Sequence, residues 1–156
     1  MQTKSHTVLI IRPQVYTGQY NHHDVAIKVF SESSFAFRLE DFYREVAIMS
    51  MISHPNVVRF EGACIEQRRD EEGVFMIVTE LMHQGSLKSV VERSPLTYDK
   101  VFKYALEIAE GMIFLHSFDI IHRDLKSENV LVSSSQLPSH RTFPPPHPTP
   151  STNCDL

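Results

Sequence analysis

Between Tyr98 and His116, Val101, Tyr104, Ala105, Ile108, Met112 and Leu115 recur at three- and four-residue spacing. They therefore form one apolar stripe along a helix. Thr97 is placed to cap this helix, with Leu96 and Val101 at the positions of a hydrophobic staple. Such a stripe needs cover. Leaving its side chains in water forfeits about 1.5–3 kcal/mol each, on the order of 10 kcal/mol together, as much as a whole domain's margin of about 5–15 kcal/mol. The candidates for cover lie upstream. Val15 to Tyr20, "VAIKVF", "VVRFEGACI" and "GVFMIVTEL" read as strands, and "TVLII" as another. Asn21 to Asp24 has turn composition, and "EQRRDEEG" reads as a hairpin loop. Leu39, Phe42, Val46 and Met49 share the face of a second helix, with Glu40 and Asp41 at its positive end. "SHPN" ends that helix, since Pro55 biases His54 out of the α region. The fold class is α+β.

From Ser133 the composition shifts to Ser and Pro with almost nothing to bury, so 133–156 reads as a disordered tail. The net charge of −4, with both signs interspersed, offers no basic surface for nucleic acid. The nine histidines are scattered without metal-ligand spacing. Two cysteines, Cys64 and Cys154, are no disulfide framework and fit a reducing compartment. Val8 to Ile11 is too short for a signal core or a membrane span. A cytoplasmic protein is the expectation.

Two motifs then acquire a context. "VAIK" (Val25 to Lys28) opens the second strand, and "HRDLKSEN" (His122 to Asn129) follows the long helix as a loop held between short apolar runs that read as strands. In this order, with a helical Glu between them, they resemble the eukaryotic protein kinase family. "HRDLKSEN" is most similar to its tyrosine-kinase-like group of serine/threonine kinases. The resemblance covers 15–132. It implies a small lobe (an antiparallel sheet plus one helix) and the beginning of a helical large lobe, with 1–14 an atypical N-terminal segment. It also implies ATP and Mg²⁺ as cofactors, and protein substrates or a partner kinase as partners.

Carried over residue by residue, the resemblance assigns Lys28 to the α- and β-phosphates and Glu45 to anchoring that lysine. Glu40 and Asp41 are rivals for the anchor, set apart by their place in the solvated first turn. Asp124 would orient the substrate hydroxyl, Lys126 would lie near the transferred phosphate, and Asn129 would ligate Mg²⁺. Val15 and Ala26 would cover one face of adenine and Leu131 the other, residues that equally make sense as core. Thr79 resembles the gatekeeper, and the backbone at Glu80 and Met82 would meet the adenine edge. His122 is expected to pack beneath the loop, and Arg123 to meet a phosphorylated segment.

The sequence also departs from the pattern. The glycines of the phosphate loop would fall at Val8, Ile10 and Pro13, and Pro13 has no N–H to offer. At the usual distance after Asn129 the chain reads Thr142-Phe143-Pro144, where the family has a metal-binding Asp; Asp155 is a displaced alternative. The expectation is a partial kinase domain, inactive and marginally folded as a chain alone. The alternative is a kinase-derived binding module that docks on a kinase or regulator.

Overall fold

The computed structural model describes residues 14–31, 37–66 and 73–134. The "TVLII" strand, the positions of the missing phosphate-loop glycines, Thr142 to Pro144, Asp155 and the tail from 135 onward lie outside them. The described elements run β1 (Gln14–Tyr20), β2 (His23–Ser31), α1 (Leu39–Met51), β3 (Phe60–Glu66), β4 (Val74–Glu80), α2 (Leu87–Arg93) and α3 (Tyr98–Ser117). The strands form one antiparallel sheet in the order β1-β2-β4-β3. The α+β expectation is met, with α1 on the sheet and α3 beginning a helical region.

The β1–β2 turn is tighter than the sequence suggests. Asn21 and His22 both have positive φ, 49° and 63°. A two-residue loop with both residues left-handed has the twist that antiparallel strands require. The register then sorts the side chains. Val15 faces Lys28, Thr17 faces Ala26, Ala26 faces Thr79 and Lys28 faces Ile77. Because side chains alternate along a strand, Val15, Ala26, Lys28, Ile77 and Thr79 share one face.

That face also carries the core. Phe42, Phe75 and Ile77 are its buried centre, packed with Phe30, Phe37, Val46, Met49, Phe60, Ala63 and Ile65. Phe42 is the buried residue of α1, and its ring meets Phe30, Phe75 and Phe37 at centroid distances of 6.0, 5.3 and 6.5 Å. Leu39 departs from the expected stripe. It is the first residue of α1 and is 42% exposed, so the helix docks from Phe42 onward. Cys64 is buried in β3, and Cys154 lies outside the described residues.

α3 starts as read. The Thr97 side chain accepts from the Lys100 N–H. Its end follows a rule that the sequence does not advertise. Ile120 N–H donates to Leu115 O and Asp119 N–H to His116 O, while Asp119 takes φ 58°. This is a Schellman cap with aspartate where glycine is usual. The expected stripe divides. Leu115 is buried and Tyr104, Ile108 and Met112 are half-buried, but Val101 and Ala105 are exposed. A second row, Tyr98, Phe102, Leu106 and Ile113, is also exposed. The cover comes from the 54–56 turn, which reaches only the second half of α3. There His54 stacks on Phe114 at 4.6 Å, and the Asn56 amide donates to Glu110 at 2.8 Å.

Gly111 makes this joint possible. A Cβ there would lie 2.7 Å from the Asn56 carbonyl oxygen, which is backbone and cannot rotate away. On an open helix, Gly→Ala stabilises by about 1 kcal/mol. Here the clash costs about 1–3 kcal/mol and reverses the sign. Gly111→Ala is expected to lower the urea midpoint; a raised midpoint would show that the joint is not close-packed.

Candidate active site

Lys28 sits in the middle of β2, and Glu45 is one turn along α1 from the buried Phe42. The docking of that ring therefore fixes the height of Glu45 over the sheet. Lys28 Nζ donates to Glu45 Oε1 at 2.8 Å and lies 4.7 Å from the centre of the Phe30 ring. The rival acids pair elsewhere: Asp41 lies 3.6 Å from Arg44 and Glu40 3.9 Å from Arg38, all well exposed. The Lys28–Glu45 pair is itself 35% and 40% exposed. An ion pair this open contributes about 1 kcal/mol or less, so its effect is to orient the ammonium rather than to hold the fold.

Ala26 and Thr79 are cross-strand neighbours on the face that carries Lys28, and Val15 lies across from Lys28 with 65% exposure. Glu80 turns its side chain to the opposite face, where its carboxylate accepts from the Arg59 N–H at 2.9 Å. The Glu80 N–H is occupied by the Arg59 carbonyl at 3.0 Å, and the Met82 carbonyl by the Gly85 N–H at 2.9 Å. Among the described residues the Met82 N–H meets no acceptor. Gly85 takes φ 74°, a conformation that costs glycine nothing.

After Gly85 the chain is laced to the segment following α3. Gln84 N–H donates to Val132 O, Val132 N–H to Gly85 O, Leu87 N–H to Val130 O and Lys88 N–H to Ser127 O. Leu131 forms a bridge with Ser86 and is 41% exposed. The apolar runs around "HRDLKSEN" were expected to be strands. Among the described residues this bridge is all the extended pairing they make, because their partner is a turn and a short helix start rather than a strand.

Within the loop, Asp124 is the hub. Lys126 Nζ donates to both of its carboxylate oxygens, at 2.9 and 2.8 Å. The Asn129 amide donates to Asp124 O at 2.8 Å and to Asp124 Oδ2 at 2.9 Å. Lys126 first, and then Asn129, hold the Asp124 carboxyl below the usual carboxylate range. Its backbone is unusual too. Asp124 N–H donates to His122 O at 2.8 Å, and Arg123 between them has φ 62°. A three-residue turn with a left-handed centre is rare and strained, and no pattern in the sequence announces it. His122 does not pack beneath the loop as expected; it is exposed, since no described element lies over it. Glu128 is a second carboxyl held low, by its own backbone N–H and then by Lys88 and Ser127; sequence reasoning did not single it out.

The candidate residues thus gather in two clusters on separate elements. Lys28–Glu45 lies on the sheet, and Asp124–Lys126–Asn129 lies on the loop. Among the described residues no group of three or more His, Cys, Asp or Glu gathers as a metal site, and no helix is long and apolar enough to cross a membrane.

A profile described as protein tyrosine and serine/threonine kinase matches residues 10–139. The chain belongs to the protein kinase family. Its relatives place it with the serine/threonine kinases of the tyrosine-kinase-like group. It is 50% identical over 123 residues to a probable serine/threonine-protein kinase of Dictyostelium discoideum, covering 78% of this chain and 8% of that protein. It is 45% identical over 124 residues to a probable LIM domain-containing serine/threonine-protein kinase of the same organism, covering 77% of this chain and 18% of the relative. A serine/threonine/tyrosine-protein kinase of Arabidopsis thaliana is 37% identical over 128 residues, with 77% of this chain and 32% of the relative covered. The chain therefore spans well under half the length of these kinases. Membership in this family implies use of a nucleotide.

Proposed function

We propose that residues 15–132 form the nucleotide-binding and hydroxyl-orienting part of a protein serine/threonine kinase that uses Mg-ATP in the cytoplasm. The observation that carries this reading is the 2.8 Å bond from Lys28 to Glu45, on the sheet face that also presents Val15, Ala26 and Thr79. A fixed ammonium beside an apolar shelf suits a base with a phosphate tail. Val15, Ala26 and Leu131 would enclose the adenine. The Met82 N–H and the Glu80 carbonyl would meet its edge, and Thr79 would bound the depth of the pocket.

Phosphoryl transfer asks the protein for positioning and charge stabilisation more than for covalent chemistry. Asp124 would accept a hydrogen bond from the acceptor hydroxyl and aim its oxygen in line. Lys126, now on Asp124, would pass to the transferred phosphate as negative charge develops there. Asn129 already directs its NH₂ to Asp124, which leaves its amide oxygen as the ligand for Mg²⁺. One neutral oxygen suits an ion that keeps several waters and takes phosphate oxygens for the rest. Bound Mg²⁺ would neutralise phosphate charge.

Calorimetric titration of the chain with Mg-ATP tests the reading. Lys28→Met is expected to weaken binding about tenfold or more, the worth of a lost charge-assisted hydrogen bond. Equal affinity in both proteins would overturn the role of Lys28.

The exposed apolar row of α3, with Tyr98 84%, Phe102 74% and Ile113 69% exposed, favours a second reading, a module that docks on a kinase or regulator. It predicts a stoichiometric complex that forms equally well with Lys28→Met; absence of such a complex counts against it.

A further inference from the structure

Residues 118–134 contain no regular helix or strand, so contacts outside the segment must fix Asp124 and Asn129. The Schellman cap of α3 holds one end. The 84–88 segment holds the other, but its backbone rungs are uneven. Val132 is paired through both its N–H and its carbonyl, whereas among the described residues Lys88 N–H to Ser127 O, at 3.1 Å, is the one backbone rung from 84–88 to residues 127–129. The turn there closes on itself, with Asn129 N–H and Val130 N–H both donating to Lys126 O, at 2.9 and 3.2 Å. Its tip is Glu128. One carboxylate oxygen of Glu128 takes Lys88 Nζ at 3.2 Å, and the other takes the Ser127 hydroxyl at 3.1 Å. The next residue is Asn129, whose amide lies on Asp124.

We propose that Lys88 and Glu128 are positioning residues, whose ion pair across from α2 holds the 126–130 turn so that the Asn129 amide stays seated on Asp124. The catalytic consequence rests on the phosphoryl-transfer reading above; the structural one does not. The side chains are 49% and 43% exposed. A pair that open shifts a local equilibrium by about two- to fivefold. The clasp therefore tunes the order of the turn and leaves global stability nearly untouched. The lysine of Asp124 cannot substitute, because Lys126 is already committed to both Asp124 oxygens.

Charge exchange separates this role from simple packing. Lys88→Glu and Glu128→Lys each place like charges together; the double variant restores an opposite pair. Hydrogen exchange at the Asn129 and Val130 amides of the chain should run about two- to fivefold faster in each single variant. In the double variant it should return to within about twofold of the parent, with the unfolding midpoint constant throughout. Where the parent transfers phosphate, kcat should fall and recover in parallel while the KM for nucleotide stays fixed. A parent that transfers no phosphate would refute the transfer reading and leave the exchange result to decide the clasp. Single variants that exchange at the parental rate, or a double variant as fast as the worse single one, would overturn the clasp itself.

Discussion

On the proposed function, Asp124→Asn is expected to reduce any phosphoryl transfer to a protein hydroxyl by about 10²–10⁴-fold, the range for loss of a positioned acid–base group. The substitution is nearly isosteric. It keeps a hydrogen-bonding side chain on the strained turn at Arg123, but it removes the charge that Lys126 grips through two bonds and puts an NH₂ where the Asn129 amide donates. The acceptor hydroxyl then loses its anionic partner, and Lys126 loses the tether that keeps it near the phosphate. Nucleotide affinity should change little, because Lys28 and Glu45 lie on another element. Labelled-ATP transfer to a generic protein acceptor reads the effect; equal residual signal in the parent and in Asp124→Asn would mean that the signal does not come from this site.

The same group sets a pH expectation. Lys126 and Asn129 hold the Asp124 carboxyl low. A carboxyl lowered on folding contributes stability above its unfolded pKa and loses it as pH falls through the folded value. Asp124 is therefore ionised throughout the neutral range, and any acid limb due to it lies below about pH 4.

Phe42→Ala carries the second large effect, a loss of about 3–5 kcal/mol. Phe42 is 3% exposed, and its ring joins α1 to Phe30 of β2 and Phe75 of β4. No other residue of α1 is fully buried; Val46 and Met49 pack beside it only half-buried. Against a domain margin of about 5–15 kcal/mol, the fold loses a large part of its stability. Because Glu45 is placed by this docking, nucleotide affinity should weaken even under conditions where the variant stays folded. Urea unfolding followed by far-UV dichroism checks the first part. A loss under about 1 kcal/mol, the size of an ordinary surface substitution, would mean that α1 does not dock through Phe42.

The reach of the sequence follows from which interactions are local. "VAIK" predicted a strand, and β2 supplies it, because β-branched residues around one lysine suit no other element. Glu45 was singled out by the family resemblance of its helix rather than by composition or period, and it lies 2.8 Å from Lys28. The long helix and its Thr97 cap were legible because helical period turns sequence spacing into direction. What escaped depends on partners distant in sequence or on backbone angles. Leu39 and Val101 carry the right period, yet both are exposed, because period gives a direction and not a partner. Gly111 is unremarkable until Asn56 is laid against it. Asp119 and Arg123 sit at positive φ where propensity favours glycine, so the turns that aim the loop leave no mark in composition. The flanking runs of "HRDLKSEN" have strand composition but find a turn as their partner.

The most direct test of the central claim is amide chemical-shift mapping of the chain on addition of Mg²⁺ and a non-hydrolysable ATP analogue. The account predicts saturable shifts at Ala26, Lys28, Met82 and Leu131, extending to Asn129 only when Mg²⁺ is present. Shifts confined to the polar cleft of His22, His23, Arg59 and His83 beside the β1–β2 turn, or no shifts at millimolar nucleotide, would contradict it.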